Sequence, residues 1–337
     1  MLRRSLLIRG AAAAALWPIV GRPTIAEEHY EISELRYQGW AGRVIFPELA
    51  EDLGYLAPLK LKWVGNTYSG PQDIQATVTG DTDFGGAFNA AIEKLVAAGA
   101  PIKAVIGNSG VDKESWPGLY VLAGSAIKGP RDLPGKKIAV NTLGAHYEFM
   151  IDEYLLRAGF SPAEIKQVTL VPLPQASAEP VLRLKQVDAA VLADVFREKA
   201  VAAGGLDLLL SDYELYGNLT SGSYVLTTRF IAKNRNTVAK FVEATARAID
   251  WTQSHPRKEV VARFQDIIRR RGRNEDASAV AYWKSPGLAG RGGLLEDRCF
   301  SLFIDWYRAN GDTAVGRLNA RDLYTNEFNP YRDGQTG

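Results

Sequence analysis

The stretches Gly80-Asp-Thr-Asp-Phe-Gly85 and Lys185-Gln-Val-Asp-Ala-Ala190 carry the strongest indication of how this chain of 337 residues folds. Each stretch closes a helical pattern and leads into an apolar strand through an aspartate followed by small residues. Because this local construction occurs twice, the sequence predicts two lobes that are built alike. A chain of this length also usually divides into two domains.

Outward from these stretches, the chain alternates short β-rich runs with helical runs from Leu35 to Leu210. This order is typical of βαβ units around largely parallel sheets, so the predicted fold class is α/β. The predicted strands span 35–37, 59–64, 102–106, 119–123, 138–140, 168–171 and 189–192.

Several predicted helices have clear ends. Gly70-Pro71 begins a helix that runs to Thr79, with Gly80 as its stop. Ser161-Pro-Ala-Glu164 is a capping box with proline at the first helical position. These signals predict helix type more firmly than helix boundaries.

After Thr227 the pattern is almost entirely helical. The run Arg269-Arg-Arg-Gly-Arg273 ends one of these helices, where cations complement the helix dipole, and we interpret it as a solvated turn rather than a nucleic-acid patch. Cys299 is the only cysteine, and its apolar neighbours predict a buried, structural thiol.

The N-terminal segment 1–26 resembles an export signal. It has a basic start with Arg3-Arg4, a short apolar stretch and a small-residue site that predicts cleavage after Ala26. The paired arginines leave twin-arginine and ordinary secretory export both open. The apolar stretch is shorter than the roughly 20 residues that a membrane-spanning helix needs, so we expect the segment to be removed.

The charge of the chain argues against binding to nucleic acid. The formal net charge is +2, and removing segment 1–26 takes away four arginines and no acid, which leaves −2. A nearly neutral chain has no general electrostatic attraction to nucleic acid or to anionic lipid. We also expect a monomer.

Common enzyme signatures are missing from the sequence. There is no cysteine pair for zinc, no His-Glu-x-x-His motif and no Gly-x-Ser-x-Gly elbow. The stretch 129–137 has one residue too many for a phosphate loop and lacks its closing hydroxyl. The three histidines, His29, His146 and His255, are too scattered to suggest a metal site. We therefore expect no cofactor, no metal and no catalytic residue.

Five turns between strands and helices are rich in glycine, hydroxyl, amide and aromatic residues. In open α/β sheets, ligands bind beyond the carboxyl ends of strands, where free helix N–H groups point inward. Any single turn of this kind can be ordinary helix capping. Five of them with three aromatic residues favour a binding cleft. The turns are Gln38-Gly-Trp-Ala-Gly42, Tyr68-Ser-Gly-Pro71, Gly85-Gly-Ala-Phe-Asn89, Asn108-Ser-Gly110 and Asn141-Thr-Leu-Gly-Ala-His146.

Several separated motifs span nearly the whole chain after residue 26. They are Asp83-Phe-Gly-Gly-Ala-Phe-Asn-Ala-Ala-Ile92, Val96-Ala-Ala-Gly-Ala-Pro-Ile-Lys-Ala-Val105, Asp132-Leu-Pro-Gly-Lys-Lys-Ile-Ala-Val140, Val187-Asp-Ala-Ala-Val191 and Asp322-Leu-Tyr-Thr-Asn-Glu-Phe328. In sequence and in order, these motifs resemble the substrate-binding proteins of the sulfonate, taurine and nitrate ABC transporters. The family also includes carriers of thiamine-precursor pyrimidines.

The resemblance implies a type II periplasmic binding fold with two Rossmann-like lobes and a ligand cleft between them. It implies a discontinuous first lobe of residues 27–120 and 226–337 and a second lobe of residues 121–225. The chain would cross between them near 119–125 and 221–227. The closed, ligand-loaded form would be presented to a membrane permease.

Carried over position by position, the resemblance assigns ligand contacts to both lobes. The first lobe would supply Gln38, Trp40, Gly42, Ser69, Gly70, Phe88 and Asn89. The second lobe would supply Thr142, Gly144, His146 and Asp194.

Asp194 departs from the family pattern, in which many members have an aromatic residue and a proline nearby. An ionised carboxylate in a cleft repels a simple anion and attracts an amine or hydroxyl donor. This argues against nitrate. His146 is interpreted first as a neutral hydrogen-bonding or packing residue, and second as a titrating charge at a helix start.

The sequence thus predicts a periplasmic solute-binding protein that delivers a sulfonate or taurine-like solute to an ABC importer by lobe closure. A pyrimidine or aromatic solute is the alternative within the class. The alternatives from other classes are an enzyme on the same fold, related to pyrimidine synthases, and a ligand-sensing module.

Overall fold

The computed structural model describes residues 29–333, so the predicted export segment 1–26 lies outside the described residues. The described chain is α/β, as predicted, with ten strands. They are β1 (Glu34–Gly39), β2 (Lys60–Asn66), β3 (Gly85–Phe88), β4 (Ile102–Val111), β5 (Gly118–Leu122), β6 (Lys137–Val140), β7 (Thr169–Pro172), β8 (Ala189–Leu192), β9 (Leu206–Ser211) and β10 (Leu219–Thr227).

The seven strands predicted from the sequence are all present, with shifts of a few residues at their ends. Strand β3 follows the stretch Gly80–Gly85, as its resemblance to the stretch before β8 indicated. Strands β9 and β10 were not predicted.

The helices lie between the strands and continue after β10. They are α1 (Phe46–Asp52), α2 (Gly70–Thr79), α3 (Asn89–Ala97), α4 (His146–Arg157), α5 (Pro162–Ile165), α6 (Gln175–Arg183), α7 (Asp194–Ala202), α8 (Asp212–Tyr216), α9 (Thr228–Lys233), α10 (Arg235–Ser254), α11 (Arg257–Arg270), α12 (Arg298–Ala309) and α13 (Ala320–Leu323).

Two helix-end predictions are confirmed. Helix α2 begins at Gly70 and is capped by Gly80, whose φ of 84° lies in the left-handed region that glycine adopts readily. Ser161 and Glu164 form the predicted capping box of α5, with the Ser161 side chain accepting the Glu164 N–H.

The strands form two layers with matching order. In the first, β1 pairs with β2, and a separate ladder has the order β3-β10-β4. The second layer has the order β7-β6-β8-β5-β9. In each layer one strand, β10 or β5, runs antiparallel between its two neighbours.

In each layer, an aspartate forms two hydrogen bonds to the neighbouring strand, and the two aspartates occupy corresponding positions. The Asp83 N–H donates to the Arg36 carbonyl at 2.9 Å, and the Arg36 N–H donates to the Asp83 carboxylate at 2.7 Å. In the second layer, Asp188 and Lys137 exchange the same two bonds, each at 2.8 Å. Both aspartates belong to the two stretches that predicted two similar lobes. In each, the side chain continues the ladder where backbone pairing is incomplete.

The strand order locates the two crossings between layers. Strand β4 belongs to the first layer and β5 to the second, whereas β9 belongs to the second and β10 to the first. We therefore propose crossings at 112–117 and 212–218, each before the position predicted from the sequence. Residues 219–225, predicted in the second lobe, instead pair with β3 and β4 of the first.

The apolar core follows these layers. Helices α1, α10 and α11 cover one face of the first layer, whereas α3 and α12 cover the other. Cys299 lies buried in α12, as predicted. None of the helices described combines the length and the apolar character that a membrane span requires.

Candidate ligand-binding cleft

The predicted ligand residues lie at or just beyond the carboxyl ends of parallel strands in both lobes. The turns after β1, β2 and β3 carry those of the first lobe, and the turns after β6 and β8 carry those of the second. In doubly wound sheets this edge is where ligands bind, because helices begin there.

Contacts between the lobes bring several of these turns together. The Phe88 ring stacks on the His146 ring with centroids 4.7 Å apart. The Tyr307 hydroxyl of α12 donates to the Gly144 carbonyl at 2.9 Å. Arg43, in the turn after β1, forms an ion pair with Asp194 at the start of α7. The two sets of predicted residues therefore face each other across the boundary between the lobes.

Eight of the eleven predicted residues are partly accessible, and three are buried. The partly accessible residues are Gln38, Trp40, Gly42, Ser69, Phe88, Thr142, Gly144 and Asp194. The buried residues are Gly70, Asn89 and His146. No ligand contact of these eleven residues is tested by the structure, so the assignments remain predictions.

Asn89 connects three elements of the first lobe. Its amide N–H₂ donates to the carbonyls of Cys299 at 2.8 Å and Thr220 at 3.3 Å, and its oxygen accepts the Ser223 hydroxyl at 2.8 Å. Since both amide hydrogens are used, this side chain has no donor left for a ligand in the observed conformation.

His146 is a packing residue in the second lobe. Its side chain is fully buried, and Nε2 lies 2.6 Å from the Asp212 carboxylate. Besides Phe88, its ring contacts Phe303 of α12 edge-on at 5.5 Å. This geometry agrees with the first of the two interpretations drawn from the sequence, a hydrogen-bonding and packing role.

Gly70 is buried because α2 begins against β3. A Cβ atom at position 70 would lie 2.8 Å from the Ala87 Cβ and 2.9 Å from its Cα. The helix start therefore requires glycine here for close approach, which is a structural reason for the residue.

The ion pair with Arg43 corrects the electrostatic argument made for Asp194. The argument assumed a free carboxylate that repels anions, but the Arg43 guanidinium neutralises it across the lobe boundary. The guanidinium also lies over the Phe196 ring, 5.7 Å from its centroid. In the ligand-free protein the Asp194 charge is therefore paired, so the carboxylate opposes an anionic ligand only where that ligand competes with it for Arg43.

Polar atoms without a partner among residues 29–333 belong to one predicted residue, Gln38, and to three that were not predicted. Buried side-chain oxygens of Gln38, Asn141 and Gln175 accept no hydrogen bond, and the Arg43 Nε donates none. Gln38 lies near the end of β1 and Arg43 in the turn after it, whereas Asn141 and Gln175 follow β6 and β7. Because buried polar atoms normally find partners, this set can hydrogen-bond a ligand. Their position directly after strands was the available sequence signal.

A buried ion network holds the turn after β1. The Gly42 N–H donates to the Glu275 carboxylate at 3.1 Å, and Arg271 donates to the Trp40 carbonyl at 3.3 Å. Arg271 also pairs with Glu275 and with Glu48, the latter at 2.9 Å. The network fixes the backbone that carries Trp40 and Arg43.

The same network corrects the interpretation of the arginine run at 269–273. Arg269 and Arg270 are exposed, as expected for a solvated helix end, but the side chains of Arg271 and Arg273 are only 8% exposed. Arg273 pairs with Glu48 at 3.0 Å and donates to the Tyr37 hydroxyl at 2.6 Å. Burial and the neighbouring Glu48 carboxylate raise the pKa of Tyr37.

One surface cavity does not coincide with the predicted ligand residues. A surface cavity of about 310 Å³ has Asp112, His255 and Trp283 in its wall, and none of the predicted residues lines it. Within residues 29–333 no three metal-ligating side chains cluster closely enough to hold an ion.

Two lobes of matching strand order, two crossings and facing turns at the strand ends define a two-lobed binding fold of the type II periplasmic class. The chain belongs to the NMT1/THI5-like family, whose model matches residues 49–259. No curated protein matches the chain at a comparable level of significance.

Solved structures share the fold. The alkanesulfonate-binding protein of Xanthomonas axonopodis pv. citri, solved with MOPS bound, is 22% identical with a TM-score of 0.68, over 88% of this chain and 99% of that one. The periplasmic nitrate-binding protein of Synechocystis PCC 6803 is 12% identical with a TM-score of 0.67, over 89% and 88%. A desulfurization enzyme is 14% identical with a TM-score of 0.59, over 88% and 97%.

Proposed function

We propose that the chain is a periplasmic solute-binding protein that captures a small organic solute between its lobes and delivers it to an ABC importer. The observation that carries the proposal is the lobe boundary, where predicted binding turns from both sides meet. Family membership and the shared fold with the alkanesulfonate-binding and nitrate-binding proteins support it.

The proposed ligand is a sulfonate or taurine-like compound. The Arg43 guanidinium supplies a cation, and its Nε is a buried donor without an acceptor in the part of the chain that the structure describes. Guanidinium groups bind planar and tetrahedral oxyanions well because their N–H donors are fixed in direction. Gln38, Asn141 and Gln175 add amides for polar substituents, and Trp40 and Phe88 add apolar surface.

A pyrimidine or aromatic solute is the alternative ligand class. Amide side chains hydrogen-bond heterocycle edges, and partly accessible rings at Trp40 and Phe88 can stack on them. This ligand would not need Arg43, which separates the two possibilities experimentally.

The fold also supports an enzymatic alternative, since a desulfurization enzyme shares it. The residues described favour binding over chemistry. Burial raises the pKa of Cys299, the only thiol in the sequence, which disfavours the nucleophilic thiolate. His146 is fully enclosed by protein. A ligand-sensing protein would use the same binding step as a transport protein, so binding alone does not separate these two roles.

The proposal extends to export, partner and assembly. We propose that segment 1–26 directs export by the twin-arginine or the general secretory route and is cleaved after Ala26. The mature chain would act as a monomer, with the ABC permease as its membrane partner. Periplasmic fractionation with N-terminal sequencing tests export. Light scattering tests the assembly, and a measured mass of twice that of the chain would contradict the monomer.

Binding is tested by thermal unfolding and calorimetry of the mature chain with alkanesulfonates, taurine, nitrate, pyrimidines, aromatic carboxylates and amines. A ligand at a hundred times its Kd should stabilise the protein by about 2.7 kcal/mol. Saturable binding of sulfonates supports the proposal. Saturable binding of pyrimidines alone supports the alternative ligand class, and turnover of any solute, detected by mass spectrometry, supports the enzyme.

A further inference from the structure

The ion pair between Arg43 and Asp194 crosses from one lobe to the other at the proposed cleft. Arg43 lies in the turn after β1 and Asp194 is the first residue of α7, and their side chains are 30% and 34% exposed. Lys284 and Glu198 form a weaker pair in the same region, at 3.7 Å. Helix α7 therefore contributes two acidic residues, Asp194 and Glu198, to ion pairs with the first lobe.

The first turn of α7 lies against the first lobe through more than charge. Val195 is buried within the first lobe's apolar cluster, and Phe196 packs against the same cluster. The residues from Asp194 onward also contact the segment 279–282 of the first lobe. The lobes are thus in contact on this side without any ligand between them.

Asp194 occupies a backbone conformation that few residues adopt. Its φ is 51°, in the left-handed region, where a non-glycine residue is retained when surrounding contacts favour it. The Arg43 guanidinium is the ionic partner that this conformation brings within reach. The backbone geometry and the ion pair therefore support one another.

The contact with Asp194 uses only part of the hydrogen-bonding capacity of Arg43. One terminal nitrogen donates to Asp194, whereas Nε is buried and has no acceptor within residues 29–333. A sulfonate, like a carboxylate, has anionic oxygens that can accept hydrogen bonds from a guanidinium. An acidic ligand at Arg43 would meet the Asp194 charge directly beside it, and like charges at close range oppose binding.

We propose that Asp194 acts as an internal anion that holds the lobes together through Arg43, and that an acidic ligand must displace it. The displacement by a ligand rests on the proposed function, whereas the ion pair between the lobes concerns the ligand-free protein alone. Asp194 is then the residue that sets how strongly the cleft discriminates against simple anions.

The decisive variants are Asp194→Asn and Arg43→Gln. Asparagine is isosteric with aspartate and tolerates a positive φ, so Asp194→Asn removes the charge and little else. The matched control is Asp207→Asn, which neutralises an acid paired with Lys128 inside the second lobe, at 3.9 Å. The probes are ethanesulfonate and its neutral analogue ethanesulfonamide.

Small-angle X-ray scattering of the ligand-free proteins should show a larger radius of gyration for Asp194→Asn and Arg43→Gln than for the wild type and Asp207→Asn. In calorimetry, Asp194→Asn should bind ethanesulfonate about tenfold more tightly, a change of about 1.4 kcal/mol, because the competing charge is gone. Ethanesulfonamide carries no negative charge that competes with Asp194, so its affinity should not increase in this variant. Arg43→Gln should lose ethanesulfonate binding.

The outcomes separate the two proposals. If no solute of the panel binds any variant but the two cleft variants expand, the proposed function fails and the ligand-free ion pair stands. If ethanesulfonate binds the wild type and Asp194→Asn neither expands nor tightens binding, the role of Asp194 is wrong while the proposed function survives. Equal weakening by both variants would likewise contradict displacement.

Discussion

At the scale of single residues, the most unusual group is a carboxyl without a partner. Glu93, on α3, is fully buried, and neither of its oxygens accepts or donates a hydrogen bond within the described residues. Burial raises its pKa well above the ordinary value for glutamate. The folded protein therefore holds Glu93 in its protonated, neutral form over a range in which the unfolded chain releases the proton.

We expect Glu93→Gln to stabilise the protein at neutral pH. Below the ordinary pKa of about 4.3, wild type and variant should differ little, because Glu93 is protonated in both folded and unfolded states. As the pH rises above that value the wild type loses stability, since only the folded state keeps the proton. The free-energy difference between the two proteins should therefore grow by up to about 1.4 kcal/mol per pH unit.

Urea unfolding from pH 4 to pH 8 measures this difference. Asp73 and Asp152, each with a pKa raised to about 7 by burial, add to the wild-type decline, so the difference between proteins is the quantity to follow. Glu114→Gln, at an exposed position, is the control. A pH-independent difference for Glu93→Gln would show that Glu93 ionises normally in the folded state.

At the scale of elements, Asp83 and Asp188 show how side chains complete a sheet. Each exchanges two hydrogen bonds with the neighbouring strand, which a plain loop residue at that position would not do. Asp83 is the more buried of the two and also pairs with the Arg36 guanidinium at 2.7 Å. The corresponding Asp188 is exposed.

We expect Asp83→Ala to destabilise the protein by about 2 kcal/mol, because a partly buried N–H of β1 loses its acceptor. Asp188→Ala should cost less, about 1 kcal/mol, since water can replace its carboxylate. Chemical denaturation measures both, with Asp81→Ala at an exposed position as the control. Asp83→Asn, which keeps an acceptor oxygen, should recover part of the loss. Equal effects at positions 81 and 83 would contradict the role in strand pairing.

At the scale of the whole molecule, an aromatic cluster joins the lobes away from Arg43. Phe149 of α4, in the second lobe, contacts Phe303 and Trp306 of α12 with ring centroids 4.8 and 5.3 Å apart. Its ring also stacks on Tyr216, in the segment where the chain crosses back, at 5.0 Å. The two lobes share this apolar cluster, so we expect them to unfold together.

We expect Phe149→Ala to lower stability by about 3 to 5 kcal/mol and to separate the thermal unfolding of the lobes into two transitions. Differential scanning calorimetry resolves this. The control is Phe241→Ala, which removes a buried ring from within the first lobe and should lower the midpoint without separating the transitions. A single transition for Phe149→Ala would show that the crossings alone couple the lobes.

The α/β class, the similar construction of the two lobes and a few helix ends could be predicted from the sequence. These are local properties, because hydrophobic periodicity, Gly80 and the Ser161 capping box act over a few residues. The repeated aspartate stretches could also be recognised in the sequence, because in each lobe the residues that connect to the neighbouring strand lie close to one turn. Motif order gave the family, which the family model confirms.

Which charged side chains are buried, and which pair with one another, depends on the tertiary structure. Arg271 and Glu48 are 223 positions apart, and Arg43 and Asp194 are 151 apart, so no local pattern links them. The same holds for β10, which joins the first lobe through pairing with strands formed over a hundred residues earlier. Local periodicity fixes the type of an element, whereas partners far along the chain become neighbours only when the sheets and their connections fold in three dimensions.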